Sequence, residues 1–348
     1  MRPPVTVLLL LLAAAASVAT AKSMYVIAKS VNFDGDIPIY VYDIGTEGNL
    51  TCQTEFGAPF LGAAMVGMAV DSDSGHLFCT YDDSGQVLII DAITPEWETA
   101  LPIPNAVDLA GIAYDHEKEL LYCTEAGGQT LHVAKWNPAK GSLLAALGSP
   151  FTLEGAMAYG IALDEYNDLL YVANAAQGIT VYSTWDWKLV RTLRTSRIAT
   201  AIAVDPKRDC LYYGGGFFGD CHLSRHGVSD GITEETLVAS DAGVMGLGVD
   251  LDTGLVYLTT GRDDRTDGGD LMVFDGTLEQ HQLIEDLERP AGLAIPVYST
   301  SFNPLHLTKT VTSGLGGKPN DNGQYYIVIG DEVTYSICFD DADHDVIL

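Results

Sequence analysis

The densest concentration of chemistry in this chain is the run Arg262-Asp263-Asp264-Arg265-Thr266-Asp267-Gly268-Gly269-Asp270. Carboxylate oxygens crowded onto a glycine-bearing loop are the ligand type that Ca²⁺ prefers, so Asp263, Asp264, Asp267 and Asp270 are candidate calcium ligands. The spacing is not that of an EF-hand. The two arginines offer the opposing reading, a solvated loop whose charges neutralise one another. Two cysteines, Cys210 and Cys221, flank a Gly214-Gly215-Gly216 run and would face each other as a disulfide if a hairpin turned there. Asn49-Leu50-Thr51 is a glycosylation triplet, with Asn49 as its acceptor in an exporting cell. Signatures of nucleophilic, zinc-dependent or phosphate-handling catalysis are absent: there is no Gly-x-Ser-x-Gly, no His-Glu-x-x-His and no glycine-rich phosphate loop.

The elements that carry these residues emerge from internal repetition. A small residue, an aliphatic, a small residue, an aliphatic and Asp precede a polar turn and an apolar, aromatic-bearing strand. The pattern appears as Gly67–Asp71 before Leu77–Thr80, and as Gly111–Asp115 before Leu121–Thr124. It returns as Gly160–Asp164 before Leu170–Ala173, as Ala201–Asp205 before Leu211–Gly214, and as Gly246–Asp250 before Val256–Thr259. A sixth copy, Gly292–Ile295, meets Pro296 instead of Asp and lacks a following strand. Successive starts are separated by 44, 49, 41, 45 and 46 residues. A period of about 40 to 50 residues with several short strands per repeat predicts an all-β fold, a six-bladed β-propeller. The sixth repeat finds its missing strands at the N-terminus, where Met24–Ala28, Ile39–Asp43 and Leu50–Phe56 read as second, third and fourth strands. Pairing Met24–Ala28 with Gly292–Ile295 would close the ring and remove an open sheet edge.

The strand-turn-strand Leu170-Tyr171-Val172-Ala173-Asn174 with Gly178-Ile179-Thr180-Val181-Tyr182 resembles YVTN-type and NHL-type propeller repeats, over about residues 24–298. Such propellers hold ligands at the mouth of the central channel, on loops between second and third strands and between blades. On that reading Asp108, Glu154, Asn174, Asp241 and Glu288 are channel-mouth candidates. The repeated Asp71, Asp115, Asp164, Asp205 and Asp250 instead close first strands and enter polar turns. Their expected partners are turn backbone N–H groups.

Residues 1–21 read as a signal peptide: Arg2, an apolar run from Val5 to Ala16, and the small-x-small site Ala19-Thr20-Ala21. Residues 22–298 are the predicted propeller. No later stretch is long and apolar enough to span a bilayer, so no transmembrane anchor is expected within the chain. After Pro296, Leu307–Val311 and Gly330–Ile337 resemble the opening of an Ig-like repeat of prokaryotic surface proteins, and residues 299–348 form a partial Ig-like β segment on this reading. Such sandwiches need roughly 100 residues. The chain is then either a fragment of a longer surface protein or incompletely folded there.

With 18 basic against 47 acidic residues the net charge is −29, which repels phosphate backbones and anionic lipid and argues against nucleic acid as a partner. The six cysteines are too few and scattered for a disulfide framework in a chain of 348 residues. Two functions remain: a secreted or cell-surface interaction module that binds an extracellular protein or glycan without catalysis, and a metal-dependent hydrolase or lyase resembling lactonases and gluconolactonases.

Overall fold

In a computed structural model, the chain divides into two compact units, residues 1–297 and 298–348. The structure describes residues 22–28, 37–45, 47–58, 65–81, 83–92, 96–126, 128–146, 148–153, 158–175, 178–215, 221–238, 243–261, 268–285, 287, 290–296, 310–313 and 333–336. The proposed signal peptide lies outside these residues, and of the second unit they include two antiparallel strands, Thr310–Ser313 and Val333–Ser336.

The first unit is a ring of six antiparallel sheets. Blade 1 spans residues 65–102, blade 2 residues 109–152, blade 3 residues 161–193, blade 4 residues 201–237 and blade 5 residues 243–284. The closing blade joins Pro290–Ala294 to three strands from the other end of the unit, Lys22–Ala28, Ile37–Ile44 and Leu50–Ala58. Tyr25 pairs with Ala294 and Val26 with Leu293, the expected closure. Each blade presents apolar side chains on both faces, so the core is a set of seams between neighbouring blades. Leu77, Cys79 and Leu88 pack towards the closing blade, for example, while Phe78, Val87 and Ile89 pack towards blade 2.

The repeated glycine follows from the geometry at the channel. A Cβ on Gly67 would stand 2.5 Å from the Ala110 carbonyl and 2.7 Å from Thr80 Oγ1. One on Gly246 would meet the Ala291 carbonyl at 2.4 Å and Thr259 Oγ1 at 2.7 Å. Those threonines use the space to donate across the seam, Thr80 to Ala110 O at 2.5 Å, Thr124 to Tyr159 O at 2.6 Å and Thr259 to Ala291 O at 2.5 Å. Each acceptor is the residue just before the next blade's motif glycine. Blade 4 reverses the arrangement by pairing Ala201 with Gly214, so the methyl group sits on the first strand and the bare backbone on the second.

The motif aspartates cap their turns. Backbone N–H groups donate to Asp71, Asp115, Asp164, Asp205 and Asp250 at 3.1, 2.9, 3.0, 3.2 and 3.0 Å. All five are buried, and each second carboxylate oxygen takes a side-chain donor three residues on: Ser74, Lys118, Asn167, Arg208 and Thr253. Unpaired, a buried carboxylate costs several kcal/mol, so these Asp residues are structural.

Candidate functional site

In the loops expected to form the channel mouth, the described residues act as local supports. Asp108 Oδ1 accepts from Asp83 N–H at 2.9 Å, holding the loop between blades 1 and 2 against the hairpin of blade 1. Glu125 Oε1 receives Val107 N–H at 3.2 Å and lies 3.1 Å from Nε2 of the buried His132. Asn174 is buried and donates through Nδ2 to Thr180 Oγ1 at 2.6 Å and to Val172 O at 3.3 Å, while its Oδ1 has no partner among the described residues. Asp270 is tied into its hairpin by backbone bonds with Thr260. Glu154, Asp241, Glu288, Asp263, Asp264 and Asp267 lie outside the described residues. Among the described residues no group of three His, Cys, Asp or Glu side chains is arranged to hold a metal ion.

The proposed disulfide is overturned. The blade 4 hairpin pairs Cys210 with Gly227 and Gly215 with His222, so its loop begins after Gly215 and Cys221 sits at the loop end. Five or more strand residues then separate the two cysteines, roughly 17 Å at the usual strand rise, whereas a bridge needs Cα atoms within about 7 Å. Both cysteines are buried. Asn49 is exposed in the turn between Ile37–Ile44 and Leu50–Ala58.

The opposite face, where the Asp-capped turns lie, carries groups that sequence reasoning did not single out. Neighbouring turns are clipped together there. His116 of blade 2 meets Glu165 Oε1 of blade 3 through Nδ1 at 2.7 Å, and its Nε2 accepts from Ser72 N–H of blade 1 at 3.3 Å. Lys118 bridges Asp115 at 3.0 Å and Asp168 of blade 3 at 2.5 Å. Arg208 of blade 4 donates to the Leu251 and Asp252 carbonyls of blade 5 at 3.2 and 3.1 Å. Lys22 of the closing blade pairs with Asp250 and Asp252.

Blade 3 stands out on this face because its outer hairpin turn reads Ser183-Thr184-Trp185-Asp186-Trp187-Lys188. The residue that closes the corresponding turn has positive φ in the five blades where it is described, at Gly48, Gly141, Trp187, Gly231 and Leu278. Trp187 occupies it at φ 58°, a left-handed conformation that costs a side chain about 1–2 kcal/mol. Stacking offsets that cost. The Trp187 ring lies 4.6 Å from Phe151 and 5.6 Å from Tyr122, both of blade 2, so it wedges into the seam. Trp185, two residues earlier, is 76% exposed. Its Nε1–H donates to Asp168 Oδ2 at 2.7 Å. Burial opposes ionisation of Asp168, but the hydrogen bonds from Lys118 and Trp185 prevail and hold its carboxyl below the usual carboxylate range. Tyr166, on the neighbouring turn of the same blade, is 70% exposed.

Between the turns of blades 3 and 4 lies a cavity of about 550 Å³. Asp164, Asn167 and Asp209 line it with Arg191 and the apolar Val204 and Val228. Burial pushes the Asp164 carboxyl up, against the lowering pull of its Asn167 hydrogen bonds. The sequence signal for this region was the unusual Trp-Asp-Trp turn, which interrupts an otherwise Gly-, Asp- and Ser-rich set of turns.

No family model matches the chain, and no curated protein matches it. Solved structures do. A chain in the crystal structure of a nidogen/laminin complex is 13% identical, with a TM-score of 0.62, covering 79% of this chain and 98% of that one. The WD40 repeats of RRP9 are 14% identical with a TM-score of 0.49, covering 77% of this chain and 86% of that one. At such identity the likeness to the nidogen/laminin chain shows the fold, a six-bladed β-propeller, and nothing narrower.

Proposed function

We propose that this protein is a secreted or cell-surface interaction module that binds an extracellular protein without catalysis. The observation that carries the reading is Trp185: a large apolar ring exposed to solvent, yet tethered by Asp168 and set on a turn that Trp187 wedges against blade 2. Rigid, exposed tryptophan is the side-chain type that dominates binding energy at protein interfaces. The export-like N-terminus and the strongly negative charge support display outside the cell. The neighbour in a nidogen/laminin complex, itself a protein assembly, is consistent with the same use of the fold. The test is to export the tagged protein from cells that make it, crosslink it on the outer surface and identify bound proteins with and without W185A. A partner retained by the wild type and lost from the variant supports the reading.

A second reading is a metal-dependent hydrolase or lyase at the channel mouth, using Asp108, Glu154, Asn174, Asp241 and Glu288. It draws support from Asn174, whose buried Oδ1 has no hydrogen-bond partner among the described residues. Metal-dependent opening of a lactone by the purified protein, abolished by E154Q or D241N, would establish it over the module.

A further inference from the structure

The cavity between blades 3 and 4 and the two exposed aromatics belong to one local structure. Asp164 and Asn167 line the cavity, and Tyr166 stands between them on the same turn. The turn ends at Asp168, which holds the Trp185 indole. A pit and two exposed rings therefore share a five-residue support clamped by Lys118.

The pit has the chemistry of a site for a long cationic side chain. Leu169, Val204 and Val228 supply apolar wall against which a methylene stem packs, and Asp164 and Asp209 supply carboxylates for its head. Asp205 also lines the pit, but Arg208 already pairs with it at 2.8 Å. Arg191 contributes one positive charge and is anchored to the wall through the Val228 carbonyl at 3.3 Å. Setting Arg191 against Asp164 and Asp209 leaves the lining with one net negative charge, the sign of the whole chain at −29. Outside the pit, the exposed faces of Trp185 and Tyr166 suit cation–π stacking by a second basic residue.

We propose that this surface docks a basic segment of a partner protein, with one arginine or lysine side chain entering the cavity and the flanking residues stacking on Trp185. The assignment rests on the interaction-module reading and names its partner chemistry. It differs from the channel-mouth site in position and ligand.

The test uses the uniformly ¹⁵N-labelled full chain and three capped nonapeptides of Gly and Ser that carry two Arg, two citrulline or two Glu residues. The Trp185 indole signal is identified as the one missing from W185F. The expected result is that the Arg peptide shifts this signal at a concentration about tenfold below that of the citrulline peptide, and that the Glu peptide does not shift it. D209N should weaken the Arg peptide by about tenfold, as should W185A read through nearby amide signals. Asn tolerates the left-handed backbone at position 209 and retains an acceptor for the Ser229 N–H, so D209N keeps the turn. E234Q, on the outer strand of blade 4, serves as the control and should change nothing.

Equal binding by wild type and D209N would show only attraction to net charge and would overturn the assignment. So would equal binding of Arg and citrulline peptides, no shift up to about 5 mM, or saturation of the Trp185 signal by an oligosaccharide instead. A protein partner that is unaffected by W185A and D209N would overturn the basic-segment assignment while leaving the module reading in place. Metal-dependent turnover would fall on that broader reading alone.

Discussion

The hydroxyl of Thr124 donates to the carbonyl of Tyr159 at 2.6 Å, across the seam from blade 2 to blade 3, through space that Gly111 leaves open. A Cβ on Gly111 would stand 2.4 Å from that same oxygen. The motif glycine and the threonine of the second strand are thus two halves of one inter-blade contact. G111A should cost about 1–3 kcal/mol by overpacking, and T124V a similar amount by leaving a buried carbonyl short of its donor, whereas T124S should retain most of the stability. Urea melts of the three variants check this; a neutral G111A would contradict the tight seam.

His116 should make stability depend on pH. Burial alone lowers its affinity for a proton, but the hydrogen bond and charge of Glu165, with Asp71 and Asp73 nearby, outweigh burial and hold its pKa above the usual value. A group whose folded pKa is raised stabilises fully below its unfolded pKa of about 6.5 and loses that contribution as pH rises through the folded value. The protonated ring gives up the acceptor role for Ser72 N–H, but that bond, at 3.3 Å, is the weaker of its two. The melting temperature of wild type should therefore fall from pH 6 to pH 8 relative to H116Q. Parallel profiles for the two proteins would contradict it.

The Trp187 wedge should outweigh its strain. W187G removes the left-handed penalty of about 1–2 kcal/mol but also removes the stacking on Phe151 and Tyr122 and the apolar area buried in the seam, worth more. A net loss of about 1–3 kcal/mol is expected in denaturant unfolding. L278G, at the equivalent position of blade 5, provides the comparison at a turn where the side chain is aliphatic.

The thiols should divide by exposure. Cys52 is exposed, whereas Cys79, Cys123, Cys210 and Cys221 are buried, and burial pushes the thiols of Cys79, Cys123 and Cys210 up from the ordinary cysteine value. Alkylation of the native protein followed by peptide mass spectrometry should modify Cys52 within minutes and these four only after unfolding. A Cys210–Cys221 crosslinked peptide would contradict the hairpin register.

Calcium provides the discriminating measurement for the acidic loop. If Asp263, Asp264, Asp267 and Asp270 bind Ca²⁺, millimolar calcium should raise the melting temperature, because a ligand bound only by the folded state stabilises it by mass action. Replacing all four by Asn should abolish that shift. An unchanged melting curve assigns the loop to solvated, self-paired charges.

The propeller was legible because its determinants are local and repeated. Glycine is required wherever two backbones approach the channel, Asp wherever a first strand enters its turn, and an apolar strand wherever a sheet is buried on both faces. The spacing of those needs is written directly into the chain. Ring closure was legible for a related reason: one repeat lacked strands that the N-terminus supplied, and an open edge is unfavourable.

Contacts between residues distant in sequence were decided only by the tertiary structure. Trp185 and Trp187 are two positions apart with nearly identical local sequence, yet one is exposed and the other is wedged against Phe151. The difference arises from a left-handed backbone angle and from the surface of the neighbouring blade. The cavity exists because the turns of blades 3 and 4 stand apart at one seam, a spacing that neither turn's sequence contains. Cys210 and Cys221 flank a glycine run that invites a tight turn. Strand pairing instead continues to Gly215, since the ladder hydrogen bonds and the buried Tyr212 and Tyr213 are worth more than an early turn. Local sequence specifies which conformations a segment adopts readily, and the packing of whole blades selects among them.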